Sequence, residues 1–386
     1  MAGAILFDLS SAFDVVDANI LVAKLSLYGL EMTSCLWVRD YMARRKQQVQ
    51  VGEALSAPKE IKHGLPQGGG LSPLLFAVYT SDMTEACPTA SLTLYADDTT
   101  GSVAANTSED VCLQMEKVAE EVLSYMADNK LAPNKKKTQF IVFTSERMRP
   151  IKVGDCSIQE DNCVTFLGAV INKKLDWTDH VDQLEKDLCK RNGVIHRLTS
   201  YLPQHALLSL VKGFFSPKIS YLIDVYSDPT GEERGSRRKT GGIIHRLQMR
   251  QNDAIRSALR IKKKDHIGTE SLLMRSGVIG VKEMSIRANC MMAWRLFAQY
   301  GDLQDLAGPR LRLREYKYPT RAATAGVLSQ ETEFANFVKK GAAIYNLMGK
   351  EITASKSKEQ AKSRMKKDYK EIEKSVDKLC CRQSSL

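Results

Sequence analysis

Two short apolar runs, each meeting aspartate, constrain this chain more than any other feature. Residues 4–9 read AILFDL and residues 92–99 read LTLYADDT. Apolar runs this short suit buried strands and are too brief for core helices. A carboxylate inside such a run costs free energy unless it is paired or binds a metal. Asp8 is therefore expected near a core, with at least one of Asp97 and Asp98 close to it on a hairpin tip. Singly, each has a plainer reading: an aspartate closing a strand caps a turn, and Asp-Asp in a hairpin is a solvated tip. If strand and hairpin share one sheet, the three carboxylates can converge. Hard oxygen donors with open positions suit Mg²⁺, which keeps waters and takes phosphate oxygens.

The remainder of the first 172 residues mixes helical and strand periods. Asn19 is a candidate cap for a helix running to Tyr28 and stopped by Gly29. A second helix is expected over 34–43, a strand over 46–51, and a helix over 73–85 with proline in its first turn. Strands over 92–95 and 99–103 flank the Ala96-Asp97-Asp98 turn. A long amphipathic helix follows from Ser108 to about Asn129, with Val111, Met115, Val118, Val122 and Met126 on one face. Strands over 138–143 and 164–171 complete an α+β domain spanning 1–172.

The second half reads as helical. Val181, Leu184, Leu188, Ile195 and Leu198 form a stripe within a segment spanning 173–229. Residues 230–242 (TGEERGSRRKTGG) are a polar linker, and helices near 243–261 and 281–300 belong to a region spanning 243–350. Residues 351–386 are a charged tail, a solvated helix or a disordered one.

Composition narrows the function classes. A net charge of +11 and a pI near 9.1 suit a nucleic-acid partner, although a solubilising surface is also basic. No apolar run approaches the roughly 20 residues of a membrane helix, and the N-terminus lacks a basic leader region. An intracellular protein of nucleus or cytoplasm, with no membrane partner, is expected. The nine cysteines include no C-x-x-C pair and read as reduced, mostly structural thiols.

Nucleotidyl transfer needs a carboxylate site of this kind. Two metal ions about 3.5–4 Å apart can activate a 3′-hydroxyl and stabilise the leaving oxygen. The segments FDLSSAFDVVD, GLPQGGGLSPLLFAVYTSDM, LYADDT, NKLAPNKKKT and FLGAVI occur here in that order, between about residues 4 and 171. Together they resemble the successive palm motifs of reverse transcriptases, and most closely those of non-LTR, LINE-type retrotransposons of the jockey-like sort. TSYLPQHALLSLVKGFFSPKISYLIDVYS and LQMRQNDAIRSALRI extend the resemblance to about residue 300. It implies a polymerase palm, an antiparallel sheet with packed helices, over 1–172. A helical thumb over 173–229 and a helical C-terminal region would follow.

The same resemblance implies residue roles. Asp8 and Asp97 would bind both Mg²⁺ ions, with Mn²⁺ as a substitute, and Asp98 would serve the catalytic-metal side. Lys137, in a run with Lys135 and Lys136, would stand near the triphosphate and assist pyrophosphate departure; an ordinary solvated cluster is the alternative. Phe13, five residues after Asp8, would be the steric gate that excludes a ribose 2′-hydroxyl, unless it simply packs in the core. Gln67 and Gly68 would touch the incoming dNTP or the template. Many relatives carry serine or a similar residue at Gly69, and the glycine implies a looser loop. Phe166-Leu167-Gly168 would begin the primer-grip region. Arg234, Arg237, Arg238 and Lys239, with Arg260, Lys262, Lys263 and Lys264, are candidates for phosphate contacts to template RNA and DNA primer.

The chain starts almost at Asp8, so a copy truncated at its N-terminus, lacking fingers and endonuclease, is expected. Its alternative is a non-catalytic, element-derived nucleic-acid-binding protein. A viral RNA-dependent RNA polymerase is disfavoured by the aromatic Phe13, and a group II intron maturase by the later FLGAVI and SYLPQ segments.

Overall fold

The computed structural model describes residues 1–227 and 242–295, together with 359–365, 370 and 372–374. The expected linker over 230–242, apart from Gly242, lies outside the described residues. So do Arg234, Arg237, Arg238 and Lys239, most of the charged tail, and the region over 296–350. The chain divides into a unit spanning Met1–Leu175 and a second beginning at Asp176.

The first unit is built on a four-stranded antiparallel sheet. Strand β1 (Ala2–Phe7) lies between β3 (Asp98–Ala104) and β4 (Gln139–Val142), and β2 (Ser91–Tyr95) pairs with the outer side of β3. Strand geometry sends alternate side chains to opposite faces. Ile5, Phe7, Thr99 and Val103 are buried on one face, and the odd-numbered Gly3 and Gly101 face the same way. Helix α4 (Ser108–Asp128) covers that face: a β-carbon on Gly3 would collide with Met115 Cε, and one on Gly101 would sit 2.9 Å from Val118 Cγ1. The helix begins where the Thr107 hydroxyl accepts from the Asp110 amide, and it buries all five residues of the expected stripe. Burying five such side chains is worth on the order of 10 kcal/mol of transfer free energy, an upper figure because the unfolded chain is partly collapsed.

Several local expectations are corrected. Helix α1 (Ala18–Leu27) is capped by Asp17 rather than Asn19. Asp17 Oδ1 accepts from the amides of Asn19 at 2.8 Å and Ile20 at 3.2 Å, while Lys130 Nζ donates to Oδ2 at 2.6 Å. Helix α2 spans Met32–Met42, and the strand expected over 46–51 is two pieces, Arg45–Gln47 and Gln50–Val51. The helix expected over 73–85 is α3 (Ser72–Thr80) followed by a separate turn at Met83–Ala86, and the break frees Asp82 to bind Lys24. The single strand expected over 164–171 is a hairpin of β5 (Cys163–Phe166) and β6 (Ala169–Asn172), because Leu167 (φ 46°) and Gly168 (φ 80°) turn through left-handed conformations.

Beneath α1, Lys24 is buried. Its ammonium donates to the Tyr79 carbonyl at 2.6 Å, Asp82 Oδ1 at 2.7 Å and the Tyr125 hydroxyl at 3.0 Å. These bonds tie α1, α3, the turn after it and α4 through a charge whose alternative is costly desolvation.

The Asp17 cap makes stability depend on acid. The hydrogen bond from Lys130 holds its carboxyl below the usual range, outweighing burial, and the two amides act in the same direction. A depressed folded-state pKa contributes stability above the unfolded value of about 3.9, lost as pH falls through the folded value. Thermal unfolding measured from about pH 6 down to about pH 3 should therefore show the wild type losing stability faster than Asp17→Asn, which keeps a cap acceptor without the titration. Parallel curves would refute this.

The second unit is helical. Helix α5 (Thr178–Leu198) buries Val181, Leu184, Leu188 and Ile195 and packs on α6 (Ile243–Leu259), with α7 (Val281–Trp294) beyond. Leu198, expected in the stripe, is only partly buried. No helix among the described residues is long and apolar enough to cross a membrane. Of the cysteines described, Cys35, Cys87, Cys112 and Cys290 are buried, and Cys156, Cys163 and Cys189 are exposed.

Candidate active site

The pairing of β1 fixes which residues meet at the carboxylate end of the sheet. The β1–β3 register ends with Phe7 opposite Thr99, and the β1–β4 register with Leu6 opposite Gln139. Continued by one residue, the β1–β3 register sets Asp8 opposite Asp98, while on the other side a turn over 135–137 precedes β4 and carries Lys137. Lys137 Nζ stands 3.4 Å from Asp8 Oδ2. The Asn134 amide donates to the Asp8 carbonyl at 2.8 Å, so the chain around Asp8 is held by backbone. Directly opposite residues share a face, so Asp98 and Asp8 stand side by side, and the ion pair with Asp8 adds Lys137 to the end of the row.

The expected burial of Asp8 is corrected here. Its side chain is 37% exposed, because strand alternation sends Phe7 into the core and turns Asp8 to the open face. Asp97 and Asp98 are also exposed, at a hairpin tip where Ala96 takes φ 52°. A left-handed conformation costs a non-glycine residue roughly 1–2 kcal/mol, so the tip holds local strain. Among the described residues, no three His, Cys, Asp or Glu side chains already form a group able to hold a metal ion. The carboxylates nevertheless sense one another. Partial burial pushes the Asp98 carboxyl up, and the charges of Asp97 and Asp8 push it further in the same direction. A cation would relieve that repulsion. Mg²⁺ commonly takes only one or two carboxylates beside waters and substrate phosphates, so an open set of oxygen donors fits it without a closed cage.

Two hollows flank the row. One, of about 90 Å³, is lined by Asp8, Asp98, Lys137 and Gln139, with Phe166 and Leu167 of the β5–β6 hairpin. The other, of about 470 Å³, is lined by Asp8, Lys136, Lys137, Gln139, Gln159 and Asp161. Asp161 was not among the expected residues. Burial pushes its carboxyl up, ahead of an opposing hydrogen bond at the Phe140 backbone.

Phe13 and Gln67 are brought together by loop docking. The amides of Gly64 and Leu65 donate to the carbonyls of Val16 (2.9 Å) and Phe13 (2.7 Å). Gln67 Nε2 donates to Asp14 Oδ1 at 2.9 Å, which makes Asp14 a second residue the motifs did not single out. Phe13 is half-buried, its ring stacked on Phe76 with centroids 4.5 Å apart. Gly68 is exposed with φ 84°, a conformation that favours glycine. Gly69 sits at a close approach: a β-carbon there would lie 2.9 Å from the Tyr41 hydroxyl and 3.3 Å from both Pro66 O and Ser72 Oγ.

In the second unit, Lys262 and Lys264 are exposed, and Lys263 pairs with Asp253 at 3.2 Å with 80% of its side chain in solvent. With Arg256, Arg260 and His196, Lys262 and Lys263 line a hollow of about 450 Å³. Arg260 reaches back to the carbonyls of Thr199 and Leu202, at 2.8 and 2.9 Å.

Several known proteins are similar to this chain. The family described as "Reverse transcriptase (RNA-dependent DNA polymerase)" matches residues 2–171. Over 197 residues the chain is 25% identical to the "Probable RNA-directed DNA polymerase from transposon BS" of Drosophila melanogaster, covering 46% of this chain and 21% of that one. It is 22% identical over 240 residues to the "RNA-directed DNA polymerase from mobile element jockey" of the same fly, covering 57% and 25%. The match thus spans about a fifth to a quarter of these relatives' length. The apo telomerase of Candida tropicalis aligns with 79% of this chain and 52% of itself, at 14% identity and a TM-score of 0.36, too loosely to carry residue roles across.

Proposed function

Residues 2–171 are a reverse transcriptase domain of the kind found in jockey-like non-LTR retrotransposons, and from that premise we propose that this chain extends a DNA primer on an RNA template using dNTPs. The observation that carries the proposal is the row Asp98–Asp8–Lys137: two carboxylates brought opposite each other by β1 and β3, and a lysine that reaches Asp8 from the turn before β4. Rigid elements are what a polymerase site needs, since a misplacement of about 1 Å can cost on the order of 100-fold in rate.

Asp8, Asp97 and Asp98 are the oxygen donors that would hold divalent metal, with Mg²⁺ as the ion and two ions as the number. Bound metal would supply activation of the primer 3′-hydroxyl and charge stabilisation at the leaving pyrophosphate. Lys137, paired to Asp8 and 68% exposed, is free to turn its ammonium toward a triphosphate and to donate a proton as pyrophosphate departs. Gln67 orients the nucleotide or template from a loop tied to Asp14. Lys262 and Lys263 offer the second unit's charge to backbone phosphates of template and primer. In this reading 1–172 serves as palm and 173–229 as thumb.

Phe13 acts as the sugar gate, and Phe76 holds its ring from behind. Discrimination by a steric contact of this size is worth about 1–3 kcal/mol, or roughly 10- to 200-fold. Phe13→Ala should raise ribonucleotide incorporation relative to deoxynucleotide incorporation by about that factor. Unchanged sugar discrimination would remove the gate and leave Phe13 as core packing.

Primer extension on poly(rA)–oligo(dT) with Mg²⁺ tests the proposed activity. Extension by the wild type, absent from the Asp97→Ala/Asp98→Ala variant, supports it. If neither extends while both bind template–primer with steep salt dependence, the chain is a nucleic-acid-binding protein instead.

A further inference from the structure

An aromatic shelf lies beside the glutamine–glycine loop, on a helix that no catalytic role has used. Trp37 and Tyr41 are one helical turn apart on α2, and their rings stack with centroids 5.6 Å apart and planes within 9°. The buried stripe of α2 is Cys35, Val38 and Met42, and Trp37 flanks it with 57% of its surface in solvent. Tryptophan is highly buried on average, so an indole this open, stacked on a second ring, is an informative surface feature. The shelf is anchored to the loop: the Tyr41 hydroxyl lies over Gly69, which has no β-carbon to push it away.

The neighbouring chain is basic. Residues 44–62 carry Arg44, Arg45, Lys46, Lys59 and Lys62 against Glu53 and Glu60. Arg45 fastens this segment to the loop's entry by donating to the carbonyls of His63, at 3.2 Å, and Gly64. A flat, exposed indole backed by a second ring, with cations alongside, matches the chemistry of single-stranded nucleic acid, whose bases stack and whose phosphates need positive charge. A protein partner would find fewer charges to its advantage, since interface cores are depleted of lysine.

We propose that Trp37, supported by Tyr41, is a stacking platform for an unpaired base of the template strand next to the Gln67–Gly69 loop. This rests on reading the chain as one that copies a template. Stacking is tolerant of base identity, so the platform would hold the strand without reading its sequence.

Binding of a fluorescent oligo(uridylate) single strand to the full chain, titrated against salt, provides the test. Loss of one base–aromatic stack should weaken binding of Trp37→Ala about 5- to 150-fold. The slope of affinity against salt should stay as in the wild type, because stacking releases no counterions. Trp37→Tyr should recover most of the affinity, and the strand should quench indole fluorescence in a Trp177→Phe/Trp294→Phe background. Unchanged affinity in Trp37→Ala, no recovery in Trp37→Tyr, or no quenching overturns the proposal. So does a Trp37→Ala variant that binds the strand normally but loses self-association, which would mark the shelf as a protein-binding face. Primer extension by the wild type reports separately on the polymerase reading, which survives if extension is seen while the shelf proves inert.

Discussion

The Asp97→Ala/Asp98→Ala variant is expected to lose primer extension by on the order of 1,000-fold or more while folding at least as stably as the wild type. Removing a single preorganised electrostatic group from an active site typically costs on the order of 100- to 1,000-fold, and here two neighbouring donors go together. Stability should move the other way. Both residues are exposed, so no buried hydrogen bond is broken, and surface substitutions usually change stability by less than about 0.5 kcal/mol. The Asp98 carboxyl is pushed up by partial burial and then by the Asp97 and Asp8 charges, a sign that the ionised tip is repulsive. Neutralising it removes that repulsion. Thermal unfolding and extension measured on the same preparation separate the two effects. A fall in unfolding temperature that tracks the lost activity would mean the tip is structural and would sink the assignment.

The second large effect concerns folding alone. Asp82→Ala should destabilise the first unit by about 3 kcal/mol, the low end for breaking a buried ion pair because the Asp82 side chain is 41% exposed. Lys24, 11% exposed, would keep its charge with only the Tyr79 carbonyl and Tyr125 hydroxyl as partners. Burial pushes the Asp82 carboxyl up, and the hydrogen bonds from Lys24 and Tyr125 outweigh it to hold the group below its ordinary range. For a unit of this size the loss corresponds to roughly 6–12 °C in unfolding temperature. Lys24→Met should cost less, since it removes the buried charge and leaves Asp82 near solvent. Equal losses in the two variants would show that the network contributes packing rather than charge pairing.

Contiguous patterns are legible in the amino-acid order itself. The five-residue stripe from Val111 to Met126 specifies α4 to within a residue of its end, because helical periodicity is written in neighbouring positions. The hairpin around Ala96-Asp97 is likewise readable from the apolar run LTLY that leads into it and the Asp-Asp turn that follows. The ordered motifs carry the family. Asn19 misleads because Asp17 lies two positions earlier and offers the same kind of acceptor, so local chemistry does not choose between them. Leu167 misleads because leucine seldom takes a left-handed turn, leaving only Gly168 to hint at the hairpin. Lys24 sits three residues after Leu21, on a buried stripe that could have flagged it as a buried charge.

Local order thus specifies the chemical parts: three carboxylates at strand ends, a lysine run, a glutamine–glycine loop and an aromatic five residues after Asp8. How those parts meet is a property of the folded sheet. In AILFDL every residue around Asp8 is apolar, so alternation is silent about which face the carboxylate takes; packing of Phe7 against the core turns Asp8 outward. The partnership of Asp8 with Asp98 and Lys137 joins positions about 90 and 130 residues away. Such register is set by which faces bury the most apolar surface across the whole sheet, a competition that no local pattern records.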